Sequence, residues 1–233
     1  MTFSPSRENS PVWSPDGRRI AYASDRKGLF HIYQKAADGT GEEETLLETN
    51  AEERPMSWSS DGRYLAYQRH DPQGKTKLDV WILPLFGDRR PFALVQSEFD
   101  ETYPEFSPNG RWLAYTSNES GRDEVYVMPF PQAGGKWLIS GSGGSQPKWR
   151  RDGKVLYYLG GDYKLIAVSI QEKGAALEVG QSRPLFQARP VSAFGNLFDV
   201  SADGKRFLIP TSTEPGNAEP ITLVVNWTAE LKK

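Results

Sequence analysis

"VWSPDGRRIAYAS" (residues 12–24) joins an aromatic, a Ser-Pro-Asp-Gly tetrapeptide, two arginines and a short apolar run. In the tetrapeptide the proline presets φ, the aspartate can bond the local backbone, and the glycine takes a left-handed position. It therefore predicts a type I turn in a short hairpin loop. The phrase returns four times, as SWSSDGRYLAYQR (57–69), EFSPNGRWLAYTS (105–117), KWRRDGKVLYYLG (148–160) and DVSADGKRFLIPT (199–211). The turn glycines Gly17, Gly62, Gly110, Gly153 and Gly204 follow one another at intervals of 45, 48, 43 and 51 residues. A period near 45, in a chain rich in Gly, Pro, Trp and Tyr, predicts a β-propeller.

The rest of each repeat aligns as well. After each glycine comes a basic residue (Arg18, Arg63, Arg111, Lys154, Lys205) and then a nearly continuous apolar run: IAYA, LAYQ, LAYT, LYYL, FLIP. Such runs suit strands covered on both faces. Third strands read HIYQKA, DVWILPL, EVYVMPF, LIAVSI and ITLVVNW; weaker fourth strands read ETLLE, RPFALV, KWLIS and RPLFQA. No long segment has a 3.6-residue period, and TAELKK at the C-terminus allows one helical turn at most. The expected fold is all-β: a single β-propeller of five four-stranded antiparallel blades over residues 1–233, with repeats at 10–50, 54–96, 102–140, 146–188 and 194–227. The fifth repeat offers no fourth strand after Trp227, so residues 1–5 are expected to complete it. A ring closed in this way would be a monomer. Trp13, Trp58 and Trp149, with Phe106 and Val200 in the same column, are expected to pack between blades.

Composition narrows the function. The 233 residues carry a formal charge of −2 and no cysteine. A chain of this length can bury a sizeable core without disulfides or metals, and thiol chemistry is excluded. There is no net basic field to attract nucleic acid. No apolar run approaches the ~18 residues that would insert in a membrane. MTFSPSRENS lacks the apolar core of a signal peptide, so an export signal would have to lie outside this segment.

WSPDG (13–17), WSSDG (58–62), FSPNG (106–110) and SADG (201–204), with their following strands, resemble the TolB-like, WD-repeat-like β-propeller family across nearly the whole chain. SPNGRWLAYTSNESGRDEVYVMPFP (107–131), GGKWLISGSGGSQPKWRRDGKVLYY (134–158) and VVNWTAELKK (224–233) are more specifically similar to the C-terminal sensor-type propeller of bacterial receptor-like serine/threonine protein kinases. The resemblance implies an extracytoplasmic or periplasmic recognition domain and, in a parent protein, an upstream kinase domain. No kinase motif occurs in this chain.

Candidate site residues fall in two sets. The loops entering each first strand, together with those between second and third strands, crowd one end of a propeller. There they would present Arg26, Glu52, Glu53, Arg54, Asp100, Glu101, Tyr103 and Arg122 to a protein, peptide or small polar ligand. The second set lies inside the channel, where Val12, Ser57, Glu105, Lys148 and Asp199 share one first-strand position. Glu105 and Asp199 could serve as the acid pair of a glycoside hydrolase-like, carbohydrate-active enzyme. Lys148 stands between them and would neutralise both, so a structural ion pair is the expected use. The histidines, His31 and His70, are expected at the surface or an edge, without a triad. They are too few for a zinc site, and no D-x-D-x-D-G calcium loop is present. The expected function is non-catalytic recognition, with no catalytic residue, metal or cofactor.

Overall fold

The computed structural model describes residues 5–74, 76–132, 134–191 and 195–211, and the backbone of 223–225. Among these residues there is no helix. Four four-stranded antiparallel sheets and one three-stranded sheet follow in chain order. The first contains β1 (Glu8–Trp13), β2 (Arg19–Ser24), β3 (His31–Ala36) and β4 (Glu44–Leu47). The second contains β5 (Glu53–Trp58), β6 (Tyr64–His70), β7 (Leu78–Pro84) and β8 (Phe92–Val95). The third contains β9 (Glu101–Phe106), β10 (Trp112–Ser117), β11 (Glu124–Pro129) and β12 (Trp137–Leu138). The fourth contains β13 (Gly144–Trp149), β14 (Val155–Gly160), β15 (Lys164–Lys173) and β16 (Ala176–Gln187), and the fifth β17 (Asp199–Val200), β18 (Arg206–Leu208) and β19 (Leu223–Val225). Each is an up-and-down meander, as expected of a propeller blade. The expected closing segment lies outside the described residues, apart from Pro5, which sits in a bend. Trp227 lies outside them too.

The quoted phrase forms the β1–β2 hairpin. Gly17 N–H donates to the Ser14 carbonyl at 2.9 Å, Ser14 Oγ donates to Asp16 Oδ1 at 2.6 Å, and Arg19 N–H donates to Ser14 Oγ at 2.9 Å. The same bonds recur around Ser59–Asp61, Ser107–Asn109 and Ser201–Asp203. At the corresponding glycine of the third sheet, Gly110, φ is +68°, a conformation that strains any residue with a Cβ.

Neighbouring sheets sandwich apolar side chains. Ala21, Ile32, Leu46 and Leu47 of the first sheet meet Trp58, Leu65, Tyr67 and Leu83 of the second. Phe106 and Trp149 meet the second and third sheets in the same way. Each column aromatic thus packs on the sheet before it. Trp58, Phe106 and Trp149 are 8%, 5% and 7% exposed, whereas Trp13 is 58% exposed. Trp13 corrects the expectation for its column: among the described residues no sheet covers it. The opposite column behaves likewise. Ala21, Ala66 and Ala114 are fully buried, and their equivalent in the fifth sheet, Leu208, is 48% exposed. Among the described residues, the first and last sheets each leave one face without a covering sheet.

Other departures are local. The strands expected as LIAVSI and RPLFQA are longer, forming a 10- and a 12-residue pair at Lys164–Lys173 and Ala176–Gln187. KWLIS shrinks to two residues. Trp137 packs edge-on against Trp112, with ring centroids 5.4 Å apart.

Two stability measurements follow from this packing. In urea unfolding, Trp58→Ala should cost about 3–5 kcal/mol, while Trp13→Ala should stay within about 0.5 kcal/mol of the parent. Equal losses would show that Trp13 is covered in solution. Gly110→Val should lower the melting temperature by roughly 2–8 °C; an unchanged melt would contradict the left-handed turn.

Candidate functional site

The site is built on the starts of the first strands. In β1, β5, β9 and β13 the pairing register slips by one residue. Each slip coincides with a proline, Pro11, Pro55, Pro104 or Pro147, which has no N–H to give the ladder. In three sheets the residue before that proline is held at left-handed φ: Ser10 at 52°, Tyr103 at 52° and Gln146 at 56°. Non-glycine residues rarely adopt this conformation, and they do so where the surroundings impose it.

Gln146 shows what imposes it. Its N–H donates to Thr116 Oγ1 at 3.1 Å in the preceding sheet, and its Oε1 accepts from Leu197 N–H at 2.6 Å ahead of the fifth. Nearly buried, it stitches three sheets together at the channel end. Burial raises the Tyr103 phenol pKa, and the adjacent Gln146 side chain works the other way. Sequence reasoning missed Gln146; the recurrent X-Pro in SPVW, RPMSW, YPEF and QPKW was the signal that could have found it.

The other residues expected at the channel mouth lie at this end but are not free. Arg26 stacks on the Tyr33 ring at 4.3 Å, reaches Glu8 at 3.0 Å and Tyr22 at 3.2 Å, and pairs with Glu43. It roofs the open face of the first sheet. Glu52 pairs with Arg54 at 2.9 Å, and the Arg54 guanidinium lies over Phe30 at 4.6 Å. Asp100 accepts from Asn118 at 3.1 Å and from Lys77 at 3.4 Å. Arg122 donates to Glu124 at 2.7 Å and to the Gly141 carbonyl at 3.0 Å, with most of its side chain in solvent.

Glu53 and Glu101 are buried, so the expectation that they face a ligand is corrected. Glu53 Oε2 lies 2.9 Å from His31 Nδ1 and Glu53 Oε1 accepts from Thr49; Glu101 accepts from Ser97. Their position explains the burial. The chain entering β5 bonds back to the preceding sheet, where Glu53 N–H donates to the Phe30 carbonyl at 2.8 Å. His31 is therefore a buried partner rather than a surface histidine. His70 is exposed and ends β6 instead of standing in a loop.

Lower in the channel, Lys148 Nζ donates to Glu105 at 2.9 Å, with side chains 12% and 20% exposed. Burial raises the Glu105 carboxyl, and the Asp199 charge adds to this against the opposing pull of Lys148. For Lys148, burial works to lower the ammonium, but the charges of Glu105 and Asp199 outweigh it and the net shift is upward. The ammonium is bonded to Glu105 and also feels the charge of Asp199, so the influence spans three neighbouring sheets. No group of three metal-ligating side chains occurs among the described residues.

Lys148→Met should cost about 3–5 kcal/mol at neutral pH, because it strands a buried carboxylate, and Lys148→Met/Glu105→Leu should recover most of that loss. The single variant should also regain stability as pH falls, since protonating Glu105 removes the unpaired charge. A loss independent of pH would mean that the side chain matters only for packing.

No family model matches the chain. The matched part of this chain spans 25%, 53% and 7% of the lengths of three curated relatives. It is 26% identical over 166 residues to "uncharacterized peptidase YuxL" of Bacillus subtilis, a match covering 54% of this chain and 25% of that protein. TolB from Acinetobacter baumannii superposes with a TM-score of 0.76 at 19% identity, covering 96% of this chain and 53% of that one. The gluconolactonase XC5397 from Xanthomonas campestris superposes with a TM-score of 0.62 at 17% identity, covering 89% and 71%. The fold is that of the TolB-like β-propellers.

Proposed function

We propose that this chain forms five blades of a recognition propeller that holds a protein, peptide or small polar ligand at its channel mouth, outside the cytoplasm, as the sensor part of a larger protein. The observation that carries this reading is the repeated left-handed residue before proline. Ser10, Tyr103 and Gln146 occupy one structural position in three sheets, all at the channel end, with three different side chains on the same strained backbone. Strained positions of this kind cluster at ligand sites. Around them stand the exposed Arg122 and the Glu52–Arg54 pair, which give a polar rim with charges of both signs.

The alternative is a carbohydrate-active enzyme using Glu105 and Asp199. The likeness to a gluconolactonase keeps hydrolysis in view. The Lys148–Glu105 bond argues against it, because a general acid needs its proton free to deliver and a nucleophile needs an unencumbered carboxylate. A binding role needs neither.

Titration of isotopically labelled chain with random peptide pools and soluble cell-wall fragments tests the proposal. Amide shifts should gather around Tyr103, Arg122 and Arg54. Tyr103→Ala should weaken binding at least about tenfold, the equivalent of ~1.4 kcal/mol, and Arg111→Ala at the opposite end should leave it unchanged. Shifts confined to the turn end would overturn the assignment. So would turnover of glycosides or lactones that disappears in Glu105→Gln.

A further inference from the structure

In each of the first three sheets, the second and third strands set two aromatic residues directly opposite one another. The pairs are Tyr22 and Tyr33, Tyr67 and Trp81, and Tyr115 and Tyr126. Each time a cation lies over the third-strand ring, where the negative face of the π-system attracts it. Arg26 lies over Tyr33 at 4.3 Å, Arg69 over Trp81 at 4.4 Å and Lys136 over Tyr126 at 5.0 Å. The three cations come from different points of the repeat: the loop after β2, the end of β6 and the loop before β12. The spatial arrangement recurs although the sequence position does not.

In the first and third sheets a glutamate completes the arrangement. Arg26 pairs with Glu43, and with Glu8 at 3.0 Å; Lys136 pairs with Glu119. The second sheet has the ring and the cation without the glutamate. Arg69 makes no salt bridge or hydrogen bond among the described residues, and its Nε is buried without an acceptor. It is the only guanidinium or ammonium nitrogen in that state among them. A buried charged donor left in this way calls for an acceptor from elsewhere.

The acids beside Arg69 are engaged with other groups. Glu53 on β5 and Asp79 on β7 stand opposite it in the ladder. Glu53 is bonded to His31 and Thr49, and Asp79 to Thr76 and Gln96. Asp71, two residues on, accepts from the N–H groups of Gln73 and Thr76. These acids do not bar a further carboxylate. Glu8 holds the place in the first sheet that Glu53 holds in the second, and there Glu8 and Glu43 share one guanidinium.

We propose that Arg69, stacked on Trp81, anchors a carboxylate of an incoming ligand, and that a glutamate-type side chain of a peptide is the group that fits. The inference rests on the recognition role proposed above, to which it adds a ligand chemistry. The molecule itself shows which group completes the arrangement, since glutamates fill it in both neighbouring instances. The ring occupies one face of the guanidinium and leaves its N–H edges to meet a planar carboxylate. Arg69 is partly exposed and next to last in β6, so it stands at the channel end with the Glu52–Arg54 pair and Arg122.

Titration of isotopically labelled chain with N-acetylglutamate amide, and in parallel with its neutral isostere N-acetylglutamine amide, tests the proposal. The acid should shift the Arg69 Nε–H and Trp81 indole N–H resonances, and the neutral isostere should leave them in place. Arg69→Gln should weaken binding of the acid at least about tenfold, and Arg111→Gln at the opposite end should not change it. Equal responses to the two probes, or none up to tens of millimolar, would overturn the proposal, even if Arg69→Gln fails to fold. A response to sodium phosphate without one to the acid would overturn it as well. Peptides that shift Tyr103 and Arg122 while Arg69 stays silent would remove this anchor and leave the recognition role standing. A response of Arg69 to the acid in a chain that no peptide or cell-wall fragment binds would support the anchor and remove the recognition role.

Discussion

A four-stranded sheet that is apolar on both faces cannot stand alone in water, and every other property of this chain follows from that. Each repeat covers only one face of its neighbour. The column aromatic of one sheet lies on the alanine column of the sheet before it, as Trp58 lies near Ala21. Covering an aromatic of this size is worth a few kcal/mol, and the contact is repeated from sheet to sheet. The same residues in the uncovered positions, Trp13 and Leu208, mark where the array of sheets stops among the described residues.

The fold was legible because its strongest signals are local. Ser-x-Asp-Gly fixes a hairpin whatever surrounds it, and five copies at a near-constant interval fix the architecture. The third strands HIYQKA and EVYVMPF begin where the alignment put them. What could not be read was anything dependent on two distant segments. Trp13 looks like Trp58 in sequence, and only the position of the sheets shows that one of them has no sheet over it among the described residues. His31 looked like a surface residue because its partner, Glu53, lies a whole strand and loop away.

The candidate site was half legible for the same reason. Repeat alignment placed Glu105, Lys148 and Asp199 in one column, and the Glu105–Lys148 bond is where alignment and charge said it would be. At the channel end, alignment found the right loops without showing how far their charges are already engaged. Arg26 is drawn on to the Tyr22–Tyr33 stack. Glu53 and Glu101 turn inward, where hydroxyls of the loops before them, Thr49 and Ser97, donate to their carboxylates. What stays in contact with solvent is a smaller set: Tyr103 and the guanidinium of Arg122, with the Glu52–Arg54 pair beside them.

The prolines of the first strands have a further consequence. At Pro11, Pro104 and Pro147 the ladder is already interrupted, so the residue before each has no strand-pairing duty that its side chain could spoil. Serine, tyrosine and glutamine all serve there within one molecule. Gln146 is held by its bond to Leu197, but at Ser10 and Tyr103 the scaffold is separate from its lining: drift can repaint what an incoming molecule meets, one blade at a time, while the masonry behind it stays untouched.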